Sequence, residues 1–402
     1  MKDVLLIGVD GGATEVKAHA VMCDDLAQAS AFRLRPETAS RVYQRLSDFT
    51  PLPVADQLAQ RDAGGPQLTA AEVEQGRVWI AAAAEVVIDV ARQCNARRVL
   101  VGEGMPGLKT PDGRGINVIN NGPRMPTYLA DLERRLADAQ IELAAPVAAL
   151  GSDADYCGLG EEYAAEGLFR DVQNAYYVGG GTGIADAMKL RGRLVPFDAA
   201  KPWLQKSWQM PSALGPTFEK LVSASSLNRV WADLQGPRAL RHAGTQGGDA
   251  ASPYPETAAL AGDPRAAAWL DTAALVLAEL IFERLSTIFG GRAEAPHRGP
   301  AYAKLATEHE FRGVLLERVI IGQRVGLIYV DPRYRGVFGE RLDTYLAANI
   351  AHTGDSALCR AFLTDGSGTT RQAVLKPGFL RASRLRAAPA LGAAVAAVKT
   401  RA

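Results

Sequence analysis

Cysteine is scarce in this chain of 402 residues: Cys23, Cys94, Cys157 and Cys359 are the only four, and no CxxC pair occurs. So few, so widely spaced, they support neither a disulfide framework nor a zinc knuckle, and a reducing cytoplasm fits best. Charge of one sign is lacking too. Lys+Arg 45 against Asp+Glu 44 leaves +1, so no global field draws the molecule to nucleic acid or to an anionic membrane. The longest apolar stretch, Ala266 to Phe289, is broken by Asp271, Glu279, Glu283 and Arg284, which a membrane-spanning helix would not tolerate well. The five histidines (His19, His242, His297, His309, His352) are scattered without partners at metal or triad spacing. The opening MKDVLLIGVDGG ends its short apolar run in a charged glycine turn rather than a cleavage site, so no export signal is read.

What is present describes an ordinary globular protein. Hydrophobic residues make up 48% and charged residues 22%, enough to bury a core, and the length is about two to three times that of a usual domain. Val4 to Val9 reads as a strand that breaks at Asp10-Gly11-Gly12 and resumes from Glu15 to Met22, a hairpin with a glycine turn. Thr69 or Thr38 could cap helices in the polar stretch that follows, and Ala70 to Gln93 has the length and period of a helix, with Val73, Val78, Ile80, Val86, Val87 and Val90 for one face. Arg98 to Val101 is β again; Thr127 to Gln140 is helical and leads into an apolar strand, Ile141 to Leu150. This alternation predicts an α/β sheet. A second glycine-turn hairpin runs from Asn174 to Val178, through Gly179–Gly183, to Ile184–Leu190, with Gly192 turning the chain again before Leu194-Val195. Gln235–Asp263 and Gly290–Gly313 read as irregular surface excursions. Arg318 to Ile321 is a strand closed by Gly322, and Phe338–His352 and Ala387–Val398 are helical.

Two segments carry chemistry. In Asp10-Gly11-Gly12-Ala13-Thr14-Glu15-Val16-Lys17, glycine lets backbone N–H groups approach phosphate oxygens, the threonine hydroxyl can donate, and the aspartate can hold a metal-bound water. A lone Asp-Gly-Gly is more often a plain turn. The repeat of the pattern at Gly179-Gly180-Gly181-Thr182-Gly183 shifts the balance, because two such loops can hold the phosphates of one nucleotide from both sides. No GxxxxGK[ST] occurs, and the first glycine loop leads into a strand, so neither a Walker loop nor a Rossmann turn applies.

DGGATEVK, VGGGTGIADA and the intervening GSDADYCGLGEE resemble the phosphate loops and active-site helix of sugar kinases in the actin and hexokinase superfamily, and more narrowly the ROK family. Gly104-Met105-Pro106-Gly107, Asn120-Asn121-Gly122-Pro123-Arg124, GPTFEKLVSASSLNRVW from Gly215 to Trp231, and RAAPALGAAVAA from Arg386 to Ala397 follow in the same order, so the likeness spans nearly the whole chain. The resemblance implies an α/β, two-domain actin/hexokinase-like (ribonuclease H-like) fold with a cleft between domains, residues 1–168 plus 384–402 forming the first and 169–383 the second. It implies an ATP-dependent kinase acting with Mg2+ on a hydroxyl of a sugar or sugar-like cyclitol, in a cytoplasmic homodimer.

By the same resemblance Asp153 is the catalytic base, starting a helix, although an N-cap aspartate is the bland reading of that position. Asp10, Gly11, Gly12, Thr14, Lys17, Gly180, Gly181, Thr182, Gly183 and Gly322 hold the nucleotide, with Asp10 holding Mg2+ through water. Gly107, Asn120, Asn121, Ser152 and Asp198 face the acceptor. Gln323 and Arg324 are not the small residues usual after Gly322. Ser152 replaces the usual asparagine, and Pro196–Trp203 stands where members carry a Glu-x-x-Gly-His segment followed by a cysteine-rich zinc motif. No structural zinc is therefore expected, the acceptor pocket is rebuilt, and Trp203 and Trp208 read as core before they read as stacking faces. A glucokinase or an N-acylhexosamine kinase is the alternative; a non-catalytic sugar or nucleotide sensor is the competing class. The regulators of that class carry a helix-turn-helix ahead of the first loop, for which nine residues leave no room.

Overall fold

The computed structural model describes residues 4–24, 31–236, 254–364 and 373–400, which fall into two compact units: residues 1–170 with 385–402, and residues 171–384. In the first unit, β1 (Leu5–Gly11) and β2 (Glu15–Cys23) form the antiparallel hairpin, β3 (Phe32–Val42) adds an outer strand, and β4 (Arg98–Gly104) lies parallel to β1. The sheet order is β3-β2-β1-β4-β7, where β7 is Glu142–Leu143 and β8 (Leu150–Gly151) also pairs with β4. Strand pleating sorts the residues. Leu5, Ile7, Val9, Val99 and Val101 pack with Trp79, Ile80, Val86, Val87 and Val90 of a long helix, while Leu6 and Leu100 pack with Leu391, Ala394 and Val395 of the C-terminal helix, Ala388–Lys399. Burying each of the Val, Leu and Ile side chains among these stabilises by roughly 1.5–3 kcal/mol.

Helices α1 (Val54–Asp62), α2 (Ala70–Gln93), α3 (Tyr128–Asp138) and α4 (Asp153–Tyr163) complete this unit. Thr69 caps α2, its side chain accepting the Glu72 N–H at 3.1 Å. Close approach to the C-terminal helix is possible because the opposing strand positions are glycines: a Cβ on Gly8 would overlap the Ala390 carbonyl, and one on Gly102 the Ala393 carbonyl. That helix is itself alanine-rich, so both partners are small.

The second unit repeats the arrangement. Strands β9 (Ala175–Gly180) and β10 (Ile184–Leu190) form a glycine-turn hairpin, β11 (Arg193–Val195) extends it, and β12 (Arg318–Gly322) lies parallel to β9 and to β13 (Leu380–Ala382). The helix Pro264–Gly290, capped by Asp263, packs Leu270, Leu277 and Ile281 into the core with Tyr176, Val178, Val319 and Ile321. Fully buried Arg284 is held by Glu283 at 2.5 Å and Asp186 at 3.4 Å, and the Ser207 hydroxyl donates to Asp186 at 2.7 Å.

Several expectations need correction. The polar stretch after β2 contains no helix at Thr38. It is strand β3, with the Thr38 hydroxyl donating to the Ala18 carbonyl at 2.9 Å; its polar residues and Pro36 suit an outer strand, where a missing N–H costs nothing. The apolar run Ile141–Leu150 yields only the short β7 and β8, since Ala144-Ala145-Pro146 between them favours no ladder. Val73 is exposed instead of lining the buried face of α2. Gly290–Gly313 is no surface excursion throughout, because Tyr302 and Phe311 enter the core. Of Gln235–Asp263, Pro255–Leu260 is a helix, and 237–253, with His242, lie outside the described residues. Trp203 is buried and stacks on His309 at 4.1 Å, whereas Trp208 is exposed. No helix among the described residues is long and apolar enough to cross a membrane.

Candidate functional site

Pleating fixes where Asp10 sits. Even-numbered β1 positions face the C-terminal helix, so Asp10 follows Leu6 and Gly8 at the strand end, beside Gly104 of β4 in register. The same face receives the start of α4. A Cβ on Gly104 would come within 2.8 Å of the Tyr156 ring and 3.8 Å of the Asp153 Cα, so only a glycine lets the helix start approach this closely. Asp153 is the first residue of α4; Ser152 occupies the N-cap without a side-chain capping bond. The N-cap reading of Asp153 therefore gives way to a first-turn carboxylate facing the positive helix end. The Asp10 carboxyl is pushed up to about 6, chiefly by desolvation, then by the charge of Asp153, with Lys17 pulling the other way.

The remaining first-loop residues are spread around this pair. Gly12 donates its N–H to the Glu15 carbonyl at 2.8 Å and closes the turn. Thr14 is exposed, and its carbonyl accepts from the Tyr43 N–H at 2.9 Å. Lys17, opposite Asp10 in the hairpin, pairs with Glu15 at 2.6 Å. Gly11 is buried against Met105, whose sulfur a Cβ would overlap.

A second group forms at the hairpin of β5 (Leu108–Lys109) and β6 (Ile116–Val118). Leu108 pairs with Val118, which brings Gly107 alongside the turn bearing Asn120 and Asn121. Gly107 has φ +95, and a Cβ there would overlap the Val118 carbonyl, so two requirements select glycine. Asn121 adopts φ 60, which asparagine tolerates better than most residues. Both asparagines are exposed. Their turn is anchored from behind: buried Arg124 donates to Glu72 at 2.7 Å, to Gln60 at 2.6 Å and to the Gln67 carbonyl at 3.0 Å. Gln57 clasps Ile119 in both directions, at 2.8 Å and 3.0 Å. The Met105 N–H donates to the Gly151 carbonyl at 3.1 Å, tying the Gly104–Gly107 run to Ser152 and Asp153.

In the second unit the glycine loop closes with the Gly181 N–H donating to the Gly183 carbonyl at 3.0 Å. Gly180 is buried, while Thr182 is exposed at the tip. Gly322 lies opposite Gly179 in the parallel β9–β12 register, and the Tyr177 ring covers both, leaving no room for a Cβ on either. Beyond Gly322 the chain turns at once into a helix, Gln323–Val330. Asp198 belongs to this unit, on the short helix Phe197–Ala200, with its exposed carboxylate 2.6 Å from Lys201. Phe197 and Trp203 of the same segment are core residues.

Two residues, Glu219 and Glu103, escape the sequence reading, and Arg324 figures in it only as a departure from the small residues usual after Gly322. Glu219, inside the quoted GPTFEKL stretch, accepts the Ile184 N–H at 3.0 Å and braces the second loop; a carboxylate inside a quoted stretch was the available signal. Arg324 is fixed by Asn228 at 3.0 Å and by Glu256, and lies over the Tyr254 ring at 4.3 Å. Glu103 sits on the opposite face of β4 from Gly104, fully buried, where Tyr128 donates to one oxygen while the other has no partner. Desolvation pushes its carboxyl up to about 7, opposed by the Tyr128 bond. No group of three or more metal-ligating side chains occurs among the described residues.

No family model matches the chain, and no curated protein does. Solved structures do match along nearly its full length. A ROK family glucokinase from Streptomyces griseus, determined with glucose and AMPPNP, superposes with TM-score 0.56 at 14% identity, covering 97% of this chain and 98% of that one. A ROK hexokinase from Thermus thermophilus gives TM-score 0.50 at 18% identity, over 98% and 97% of the two chains. A ROK family transcriptional regulator, homologous to the MLC protein of E. coli, gives TM-score 0.53 at 12% identity, over 98% of this chain and 78% of that one. The chain therefore has the two-domain α/β, actin/hexokinase-like fold that these ROK proteins share.

Proposed function

We propose that the protein is an ATP-dependent kinase that phosphorylates a hydroxyl of a sugar or a sugar-like cyclitol. The observation that carries this reading is the pair Asp10 and Asp153: Asp10 ends β1 opposite Gly104, and the Cα of Asp153, the first residue of α4, lies 3.8 Å from where a Gly104 Cβ would stand. A kinase of this type needs two acidic functions with different duties. Asp153 accepts the proton of the acceptor hydroxyl as that oxygen attacks the γ-phosphoryl group. Asp10, whose ionised form burial and Asp153 both disfavour, gains from a nearby cation, and one or two carboxylates with substrate phosphates are the usual protein share of a magnesium site. When bound, Mg2+ supplies charge neutralisation along the phosphate chain.

Gly107, Asn120, Asn121 and Ser152 surround the acceptor in this proposal. Carboxamides and a hydroxyl donate and accept at once, as each ring hydroxyl does, and an unpaired buried polar group costs roughly 1–3 kcal/mol. The side-chain network of Arg124 and Gln57 behind the turn supports it, since recognition of several hydroxyls requires a turn that does not drift. The glycine loops at residues 10–14 and 179–183 are assigned to the nucleotide phosphates.

The deciding experiment mixes the protein with ATP, Mg2+ and a panel of sugars and cyclitols and follows ADP. Turnover above the acceptor-free rate with at least one panel member is expected. A second reading, a sensor without catalysis, is favoured by the regulator that shares the fold. Saturable binding of a panel member, with no ADP formed from any, would establish that reading instead.

A further inference from the structure

At the end of β12, where Gly322 faces Gly179 across the ladder, the next residue is Gln323 with φ 57. That left-handed conformation suits glycine or asparagine and is unfavourable for a longer side chain. The strain is not idle. It forms a single bridge between Gln323 and Gly180 and turns the carboxamide back over the second glycine loop. Gln323 Oε1 lies where a Gly181 Cβ would project, and Nε2 is 3.6 Å from that point. The carboxamide is half-buried and makes no hydrogen bond among the described residues. A polar group with two donors and an acceptor is thus held against a phosphate-type loop without a protein partner. Outliers of this kind gather at ligand clamps, where the surrounding structure enforces them.

We propose that Gln323 binds the nucleotide directly, its Nε2 donating to a phosphate oxygen of the chain seated on Gly179–Gly183. This rests on the kinase reading above and adds to it a contact that glycine could not make. The neighbouring side chains explain why Gln323 is available. Arg324 is already engaged by Asn228 and Glu256, Glu219 is spent on the Ile184 N–H, and Tyr177 fills the other side of Gly179 and Gly322.

Calorimetric titration of the full chain in Mg2+ with ATP, ADP and adenosine tests the proposal. Gln323→Gly relieves the backbone strain, so it folds and keeps or raises Tm. The expected result is a Kd for ATP and ADP raised about tenfold, the scale of one hydrogen bond to a charged group, with adenosine binding unchanged. Gln323→Glu, equal in length but anionic, weakens ATP further than the glycine variant does. ATP binding unchanged or tightened in Gln323→Gly overturns the proposal and leaves the side chain as filler over the loop. If the wild-type protein binds neither ATP nor adenosine, the kinase reading falls and the role of Gln323 falls with it.

Discussion

Asp153 can be replaced by asparagine with little effect on shape, since it makes no capping bond and heads a helix whose N-cap is Ser152. In the proposed mechanism the substitution removes the base, and with it the charge that raises the neighbouring Asp10 carboxyl, so Asp153→Asn should lower kcat by ~10² to 10⁴ while ATP affinity holds. Coupled ADP release and calorimetry measure the two; near-normal turnover would remove Asp153 from the chemistry. Gly181 offers the cleaner loop variant, because a Cβ there meets the movable end of Gln323, whereas one on Gly12 lies 3.1 Å from the fixed Glu15 carbonyl. Gly12→Val and Gly181→Val should both bind ATP at least ~10-fold more weakly, because side chains would stand where phosphate oxygens approach, and Tm is measured for Gly12→Val to separate this from a disturbed turn. Unchanged affinity in both would reduce the loops to turns. Glu103 gives a pH signature. Its folded carboxyl titrates at about 7 against an ordinary 4.5, so between those values the unfolded chain releases a proton that the folded one keeps, and stability falls as pH rises through that window. Glu103→Gln abolishes the loss. Its Tm advantage over wild type should grow from about pH 4 to about pH 8, and a pH-independent difference would contradict the burial argument.

At the scale of elements, the contact between the C-terminal helix and the sheet is the least forgiving part of the first unit. Gly8 and Gly102 face backbone carbonyls of Ala390 and Ala393, which cannot rotate aside as a side chain can. Gly102→Ala should destabilise by at least about 1–3 kcal/mol, the usual range for overpacking a filled core, measurable by chemical denaturation. A neutral result would mean that the helix rides away from β4 without cost. What could be read ahead of the structure follows the same division. Helix α2 was legible to its ends because Thr69 caps it and its valines repeat at helical spacing. The glycine turns were legible because a β-rich run stops and restarts around them. Strand β3 was not, since RLRPETASRV alternates too weakly to betray an outer strand whose pairing is supplied by β2. Within the candidate site, Asp10 was singled out by its own glycine turn, whereas Asp153 and the asparagine turn entered only through the resemblance to the ROK family. The bracing by Glu219, the burial of Glu103 and the backfolded Gln323 depend on neighbours tens of residues away, which no local pattern encodes.

At the scale of the whole molecule, the proposed acceptor preference rests on the segment Pro196–Trp203, which stands where ROK members carry a Glu-x-x-Gly-His segment. It forms a short helix whose Phe197 and Trp203 are committed to the core, and the nearby His309 is pinned between Trp203 and the Thr287 carbonyl at 2.9 Å. That segment holds no histidine of its own. Glucose should therefore be a poor substrate, with kcat/KM at least ~10-fold below the best cyclitol or modified sugar, about 1.4 kcal/mol of transition-state binding; glucose ranking first in the panel would refute this and spare the kinase assignment. The division of the chain also sets a timetable for synthesis. The second unit is one continuous stretch, residues 171–384, whereas the first needs residues 385–402 to close. On a ribosome, the part made first finishes last: the glycine faces of β1 and β4 wait uncovered through more than 200 residues of elongation, until Ala388–Lys399 emerges to cover them. A nascent chain stalled just short of that helix would present a finished second unit and an open first one, the form a chaperone would be expected to hold.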